Sequence, residues 1–531
     1  MRDQSLDRCS LKEAGIDALG VKKFLEEAGQ YEMHSFMLVR HGKVAFECYW
    51  EPYGPQRPHL VHSFTKGLTA TAVGILEGEG RLGLDDPVLS FFPEYHIEGT
   101  GNFLGQMTIR HLLTMTCGHE TEANRVGCDD PVEAFLRHPC TKEPGTHFYY
   151  NSMGTTVLGA VVKRVTGQNL FSFLQLRVFD PLGIQGISCD SCPSGIDQAG
   201  GGGHLKTEDM AKVALLYLQD GVWEGQRILP EGWADRMSGV QFSDSSDRSH
   251  PEWEDWRQGY GFQVWRCTPP NTFRFDGMYG QFGIVLKEYD TVLVTTCGET
   301  DTQGLLRLMW KHILPALLKE EQPEKASRDQ EVQEAGLRDW AQGLKIHWET
   351  NHGTPEDQAR ACLEGINGLR LLFPENRESV LPRGRVQNCY TSSWTENKKS
   401  GIQSLAFVLQ DGSLAMEYVD NQNHGTLTVG TQGDWKESLL HSLWGDYQML
   451  VNGKWMDGGW LQIRLQMAEG EYYQVWDIRF QEKQEKGAGA LVEIWEGPYD
   501  RQAGLPVPRK YECTGIRNSS EAAVTSSSKA S

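Results

Sequence analysis

His62-Ser63-Phe64-Thr65-Lys66-Gly67-Leu68 opens the stretch that decides the fold, and Gly80-Arg81-Leu82-Gly83-Leu84-Asp85-Asp86-Pro87 closes it. Between them Leu68, Val73 and Leu76 recur at helical spacing, and the glycines Gly78 and Gly80 end the pattern. Three residues along a helix bring Lys66 back onto the face of Ser63. If Ser63 opens the helix, its hydroxyl lies where backbone N–H groups point outward, a favourable place for a developing oxyanion. A desolvated lysine beside it can lose its proton and serve as a base. The motif alone says little. Ser526-Ser527-Ser528-Lys529 repeats it in a Ser/Ala-rich tail where it carries no chemistry, and an isolated match is usually a helix cap followed by a surface lysine.

Two further elements add weight. Tyr149-Tyr150-Asn151 follows Glu143-Pro144-Gly145-Thr146 and is the one Tyr-x-Asn among 17 tyrosines. A phenol at Tyr149 can relay a proton, and the Asn151 amide can orient a lysine and bind a substrate carbonyl. Late in the first half comes Phe275-Asp276-Gly277-Met278-Tyr279-Gly280-Gln281. Glycines in a strand let another backbone approach. A substrate docked there as an added strand would meet the N–H of Met278, which with the N–H of Ser63 would make an oxyanion hole.

Ser-x-x-Lys, Tyr-x-Asn and a glycine strand, in that order, resemble the serine β-lactamase/penicillin-binding-protein superfamily. His62 to Pro87 resembles the helix and exit of class C β-lactamases and related esterases. His111-Leu112-Leu113-Thr114-Met115-Thr116, Pro181-Leu182-Gly183 and Thr207-Glu208-Asp209-Met210 fit later landmarks. Gly277-Met278-Tyr279-Gly280-Gln281 is similar to the pattern in nylon-oligomer hydrolases. The resemblance covers about residues 30–318. It implies that Ser63 attacks a carbonyl and forms an acyl-enzyme, that Lys66 and Tyr149 share the proton traffic, and that Asn151 positions Lys66. Met278 would complete the oxyanion hole, and Phe275, Gly277 and Gln281 would line the substrate. Two positions depart from the pattern: Phe275 stands where penicillin-recognising relatives carry Lys or His, and Cys117-Gly118 where they often have Ser-Gly.

Working outward, Phe36 and Leu38 alternate, Arg40-His41-Gly42-Lys43 turns, and Val44 and Phe46 alternate back, a hairpin. Helices are expected near Thr108–Met115 and Met153–Val165. Strands are expected around Tyr260–Trp265, Phe273–Gly277, Ile284–Leu286 and Val292–Thr296, followed by one amphipathic helix, Leu305–Leu318. Strands, then helices, then strands and a helix predict an α+β, β-lactamase-like domain over 1–320: an antiparallel sheet flanked by helices, with a helical insertion. A charged stretch over 321–345 reads as a linker or an exposed helix. Over 346–517 the texture turns to β: Leu405, Phe407 and Leu409 alternate before Asp411-Gly412, and Leu414, Met416 and Tyr418 alternate after it. A mostly antiparallel barrel or sandwich is expected there, and a disordered tail over 518–531.

Bulk composition narrows the partners. A chain of 531 residues is expected to hold two domains. A net charge of −20 argues against nucleic acid and anionic membrane surfaces as partners. The start, Met1-Arg2-Asp3-Gln4, leads into no apolar signal core, and the 12 cysteines are scattered, so a cytoplasmic location is expected. Cys189 and Cys192 have no second pair to complete a zinc site, and His119-Glu120 lacks the second histidine of a zinc-protease helix. Gly99-Thr100-Gly101 has the wrong spacing for a phosphate loop. No metal and no cofactor is implied.

The expectation is therefore a serine hydrolase acting on a small ester or amide. The alternatives are a β-lactamase or D-amino-acid peptidase, or a non-catalytic scaffold that keeps the fold. The sequence assigns no oligomeric state. Because Phe275 replaces a cation, and Arg274 is expected to point away, neutral esters should be preferred to β-lactams, with Phe275 as an apolar wall.

Overall fold

In the computed structural model the chain is described over residues 5–97, 103–123, 128–244, 252–318, 326–346, 356–376, 378–381, 401–410, 413–420, 423–431, 433–442, 445–483, 487–498 and 507–517. The tail with its second Ser-x-x-Lys, Gly99-Thr100-Gly101 and Asp411-Gly412 lie outside them. The chain divides into two compact units that change over near residue 347.

The first unit is built on a six-stranded antiparallel sheet in the order Lys43–Tyr49, Met33–Arg40, Thr291–Cys297, Gln281–Leu286, Thr272–Gly277, Trp265–Arg266. The expected hairpin turns at His41 (φ 53°) and Gly42 (φ 73°), the left-handed pair that matches strand twist in a two-residue loop. Sequence-distant strands fill the centre, so Met33–Arg40 is buried along its whole length. Between the two halves of the sheet lies the helical insertion. Its axis is the helix Phe64–Gly78, buried without a break from Phe64 to Leu76. A helix apolar on all sides is a core helix. Its threonines find partners both within the helix and across the core: Thr71 Oγ1 donates to Gly67 O and meets the Tyr217 hydroxyl at 2.7 Å.

Two local expectations change, and a third is narrowed to its helical alternative. Tyr260–Trp265 is not a strand but a tight reversal: Tyr260 bridges to Trp265, Gln263 has φ 65°, and only Trp265–Arg266 joins the sheet. The terminal helix is composite: Thr302–Leu308 and Leu314–Leu318 are α-helical, and Met309–Ile313 between them is a wider π-type turn. In the charged stretch, Ala326–Ala341 is a helix whose Leu337 and Ala341 are buried. Arg338 there donates to the Ala45 carbonyl and pairs with Glu334, and Lys12 pairs with Glu331, so this segment lies on the first unit and is no free linker.

The second unit carries ten antiparallel strands in one sheet, ordered Asn423–Val429, Ser413–Asp420, Ile402–Gln410, Leu369–Leu372, Arg509–Arg517, Gly487–Gly497, Tyr473–Lys483, Trp460–Met467, Gly445–Met456, Lys436–Ser442. The two end strands come together. Thr428 N donates to Ser438 Oγ, and the Tyr418 hydroxyl accepts from His441 N and donates to His441 O. The result is a nearly closed barrel rather than a two-sheet sandwich. Leu414, Met416 and Tyr418 are buried on alternate positions, as a barrel interior requires.

Candidate active site

Ser63 sits at the start of the buried helix with helical dihedrals (φ −65°, ψ −8°), and its side chain makes no capping bond. The preceding His62 is left-handed (φ 47°), which turns the incoming strand His59–Leu60 sharply into the helix. Lys66 comes round on the same face, as i, i+3 spacing requires, and its Nζ lies 2.8 Å from Ser63 Oγ. It also donates to the Gly200 carbonyl and lies 5.0 Å from the centroid of the Tyr150 ring. The lysine is 1% exposed. An amine so placed, out of water and within reach of the Ser63 hydroxyl, is a candidate base.

Backbone contact on two sides holds this helix start. Gly200–Gly203 runs alongside: Val61 N donates to Gly203 O, Gly203 N donates to Thr65 Oγ1, and Thr69 Oγ1 donates to Ala199 O. A Cβ at Gly203 would stand 2.8 Å from Thr65 Oγ1, and one at Gly200 would stand 2.6 Å from Ser152 O. This run lies outside the expected site motifs, and its signal in the sequence is four glycines in succession. On the other side, a Cβ at Gly277 would stand 2.2 Å from Val61 O, so glycine is required for the strand to reach Ser63. Met278-Tyr279-Gly280 then turns, with Tyr279 at φ 64°. Tyr279 and His62, both left-handed, meet edge to face at 5.7 Å. Each flanks one of the two expected oxyanion donors, and strained residues of this kind cluster where geometry serves function.

Gln281 and Phe275 are corrected. Gln281 is fully buried; its Nε2 donates to Cys297 O and Met278 O, and its Oε1 accepts from Cys297 N. It clamps the Met278–Gly280 turn and does not face a substrate. Phe275 is also fully buried, with its ring stacked 4.9 Å from that of Phe64. It is core beneath the helix that Ser63 opens, not a pocket wall. On the other face of the strand, Arg274 and Asp276 form an ion pair, Nε to Oδ2 at 2.6 Å.

The Tyr149–Asn151 segment is phased differently from the expectation. Asn151 is 1% exposed and caps the helix Ser152–Thr166: its Oδ1 accepts from Gly154 N. Its Nδ2 lies 3.3 Å from His119 Nδ1 and 3.8 Å from Cys117 Sγ. Donating from Nδ2 makes His119 Nδ1 the acceptor, so that ring is neutral. Burial and the neighbouring His138 push His119 down to about 3. Tyr149 N donates to Met115 O. The next ring, Tyr150, lies against Lys66 and stacks on Trp265 at 5.8 Å. Ser152 lies beside Gly200. Tyr150 and Ser152 thus lie toward Lys66 and Gly200, while Asn151 lies toward His119 and Cys117. The missed residue is Tyr150, and the signal was its position directly beside Tyr149.

Among the described residues no group of three or more His, Cys, Asp or Glu could hold a metal ion, and no helix is long and apolar enough to cross a membrane.

A 6-aminohexanoate-dimer hydrolase of Paenarthrobacter ureafaciens is 28% identical over 226 residues, 38% of this chain and 56% of the relative. Esterase EstB of Burkholderia gladioli is 32% identical over 176 residues, 28% of this chain and 45% of the relative. The chain thus spans about half the length of these curated relatives. Among solved structures, a putative 6-aminohexanoate-dimer hydrolase from Bacillus anthracis is similar at 20% identity and a TM-score of 0.47, covering 56% of this chain and 83% of that one. The family model described as Beta-lactamase matches residues 21–318, more than half of the chain, and the protein belongs to that family.

Proposed function

We propose that the protein is a serine hydrolase that forms an acyl-enzyme on Ser63 and acts on small esters or amides. The observation that carries this reading is the 2.8 Å contact between Ser63 Oγ and a lysine that is 1% exposed. Once neutral, Lys66 takes the proton of Ser63 as Oγ attacks the substrate carbonyl. The N–H groups of Ser63 and Met278 receive the oxyanion. Tyr150, not Tyr149, passes the proton to the leaving group, because its ring is the one beside Lys66. Water then attacks the acyl-enzyme by the reverse proton path. Asn151 acts at one remove, by capping the helix and fixing the direction of Tyr150 and Ser152. The two curated relatives support the ester and amide classes by their names. The C-terminal unit supplies no catalytic group, and a truncation ending near His347, where the first unit ends, should still react with a small active-site probe. The eleven described cysteines are free thiols, which supports a reducing, cytoplasmic compartment.

Turnover of p-nitrophenyl butyrate, small amides and a chromogenic cephalosporin tests the reading. Lys66→Ala and Tyr150→Phe should each lower kcat by about 10²–10⁴. Tyr149→Phe should leave kcat near the parent value. A loss with Tyr149→Phe and none with Tyr150→Phe would return the relay to Tyr149. No turnover of any substrate and no acylation of Ser63 would leave the scaffold alternative.

A further inference from the structure

We infer that the Asp276 carboxylate occupies, from within the chain, an anion subsite built around Arg274, and thereby turns away substrates that carry a carboxylate close to the scissile bond. This rests on the serine hydrolase reading above for its meaning in catalysis, not for its physical basis.

Strand alternation puts Arg274 and Asp276 on one face of Thr272–Gly277, opposite Phe275 and Gly277. Asp276 directly precedes the glycine that touches the Val61 carbonyl, and Met278 follows, so the pair flanks the stretch where a substrate would lie as an added strand. The aromatic wall ties the pair to the nucleophile. Lys66 lies 5.0 Å from Tyr150, Tyr150 stacks on Trp265 at 5.8 Å, and Trp265 is 6.0 Å from the Arg274 guanidinium. Burial pushes the Asp276 carboxyl up, and Arg274 and Lys66 both act against that push, so Lys66 is within electrostatic reach.

The guanidinium is held from behind. Its plane lies 4.2 Å from the Trp256 ring, and Nη1 donates to the carbonyls of Asp255 and Arg266, each at 3.1 Å. Nε takes Asp276, while Nη2 is buried without a partner among the described residues. A guanidinium offers a carboxylate a two-pronged fork. Here one prong is filled by Asp276 and the other has nothing. Of the two side chains Asp276 is the one that reaches solvent, 12% exposed against 0% for Arg274. Removing its carboxylate would therefore open the cation to solvent beside the strand. An acidic group two residues away on the same strand is always present at high effective concentration, so an external carboxylate must displace it.

The test uses the full chain and two probes, acetate ion and a chromogenic cephalosporin. Asp276→Ala should gain thermal stability with sodium acetate over sodium chloride at equal ionic strength, and the parent should not. The ratio of kcat/KM for the cephalosporin to that for p-nitrophenyl butyrate should rise by about tenfold or more, the worth of one charge-assisted contact. Asp276→Asn, which keeps the shape, serves if the alanine variant does not fold, and should show the same change in ratio. The double variant Arg274→Met with Asp276→Asn should lose both responses. Fluorophosphonate labelling of Ser63 is measured on every variant. Intact labelling with no acetate response and an unchanged ratio overturns this inference while leaving the hydrolase reading in place. Failure of labelling in the parent protein overturns that reading instead, and the acetate response still decides the anion subsite.

Discussion

The strand Thr272–Gly277 and the loop Tyr149–Asn151, which runs into the helix Ser152–Thr166, both border Ser63 and Lys66, yet they are phased by different means. The strand lies in a sheet: Phe275 pairs with Gly283 and Gly277 with Gln281, so a shift by one residue would break a ladder. The Tyr149–Ser152 segment belongs to no named strand. Its phase is set by the Asn151 cap on Gly154 N, the His119 contact and the bond from Tyr149 N to Met115 O. The difference teaches where alternation can be trusted. Within a ladder it assigns faces correctly; outside one, a single capping side chain decides which of two adjacent tyrosines meets the lysine.

The largest expected effect comes from breaking the shape-locked face of the strand. A Cβ at Gly67 would stand 2.2 Å from the Phe275 ring, which is itself fully buried against Phe64. Gly67→Ala should therefore destabilise by about 1–3 kcal/mol through overpacking, and Phe275→Ala by about 3–5 kcal/mol through the cavity it leaves. The double variant should cost clearly less than the sum, because the new methyl fills part of the cavity. Denaturant unfolding of the four proteins measures this cycle. Strict additivity would mean that the two residues do not share this contact.

A smaller effect comes from the anchor of the other segment. The neutral His119 ring accepts from Asn151, and its folded value of about 3 lies below its ordinary 6.5. Between these values the unfolded chain binds the proton and the native state does not. Stability is therefore unaffected by this group above about pH 6.5 and is lost as pH falls toward 3, at up to about 1.4 kcal/mol per pH unit. His119→Gln keeps an acceptor for Asn151 and has no proton to take. Its stability should fall less steeply than the parent's from pH 6 to pH 4. Equal slopes would show that His119 titrates normally and does not hold the segment.

The same contrast explains what the sequence made legible. Ser63 and Lys66 meet because their spacing is local and needs only a helix. Gly277 reads as a close backbone approach because only a missing side chain permits it. The β texture of the second unit is visible in its alternation, but closure into a barrel depends on the meeting of Asn423–Val429 with Lys436–Ser442, which no local pattern announces. Phe275 is misread as a pocket wall because alternation gives the side a residue faces and not what covers that side. Gln281 is misread for a similar reason: its amide is consumed by Cys297 and Met278, partners set by folding. Arg274 lies on the strand face opposite Phe275, but that face is not the solvent side the pattern suggests: the guanidinium is buried beneath tryptophans and paired with Asp276.

The most direct test of the central claim is the site of covalent labelling by a fluorophosphonate, located by peptide mass spectrometry in the parent protein and in Ser63→Ala. The account predicts one adduct, on Ser63, and none in the variant. An adduct on another residue, or labelling that survives Ser63→Ala, would contradict it.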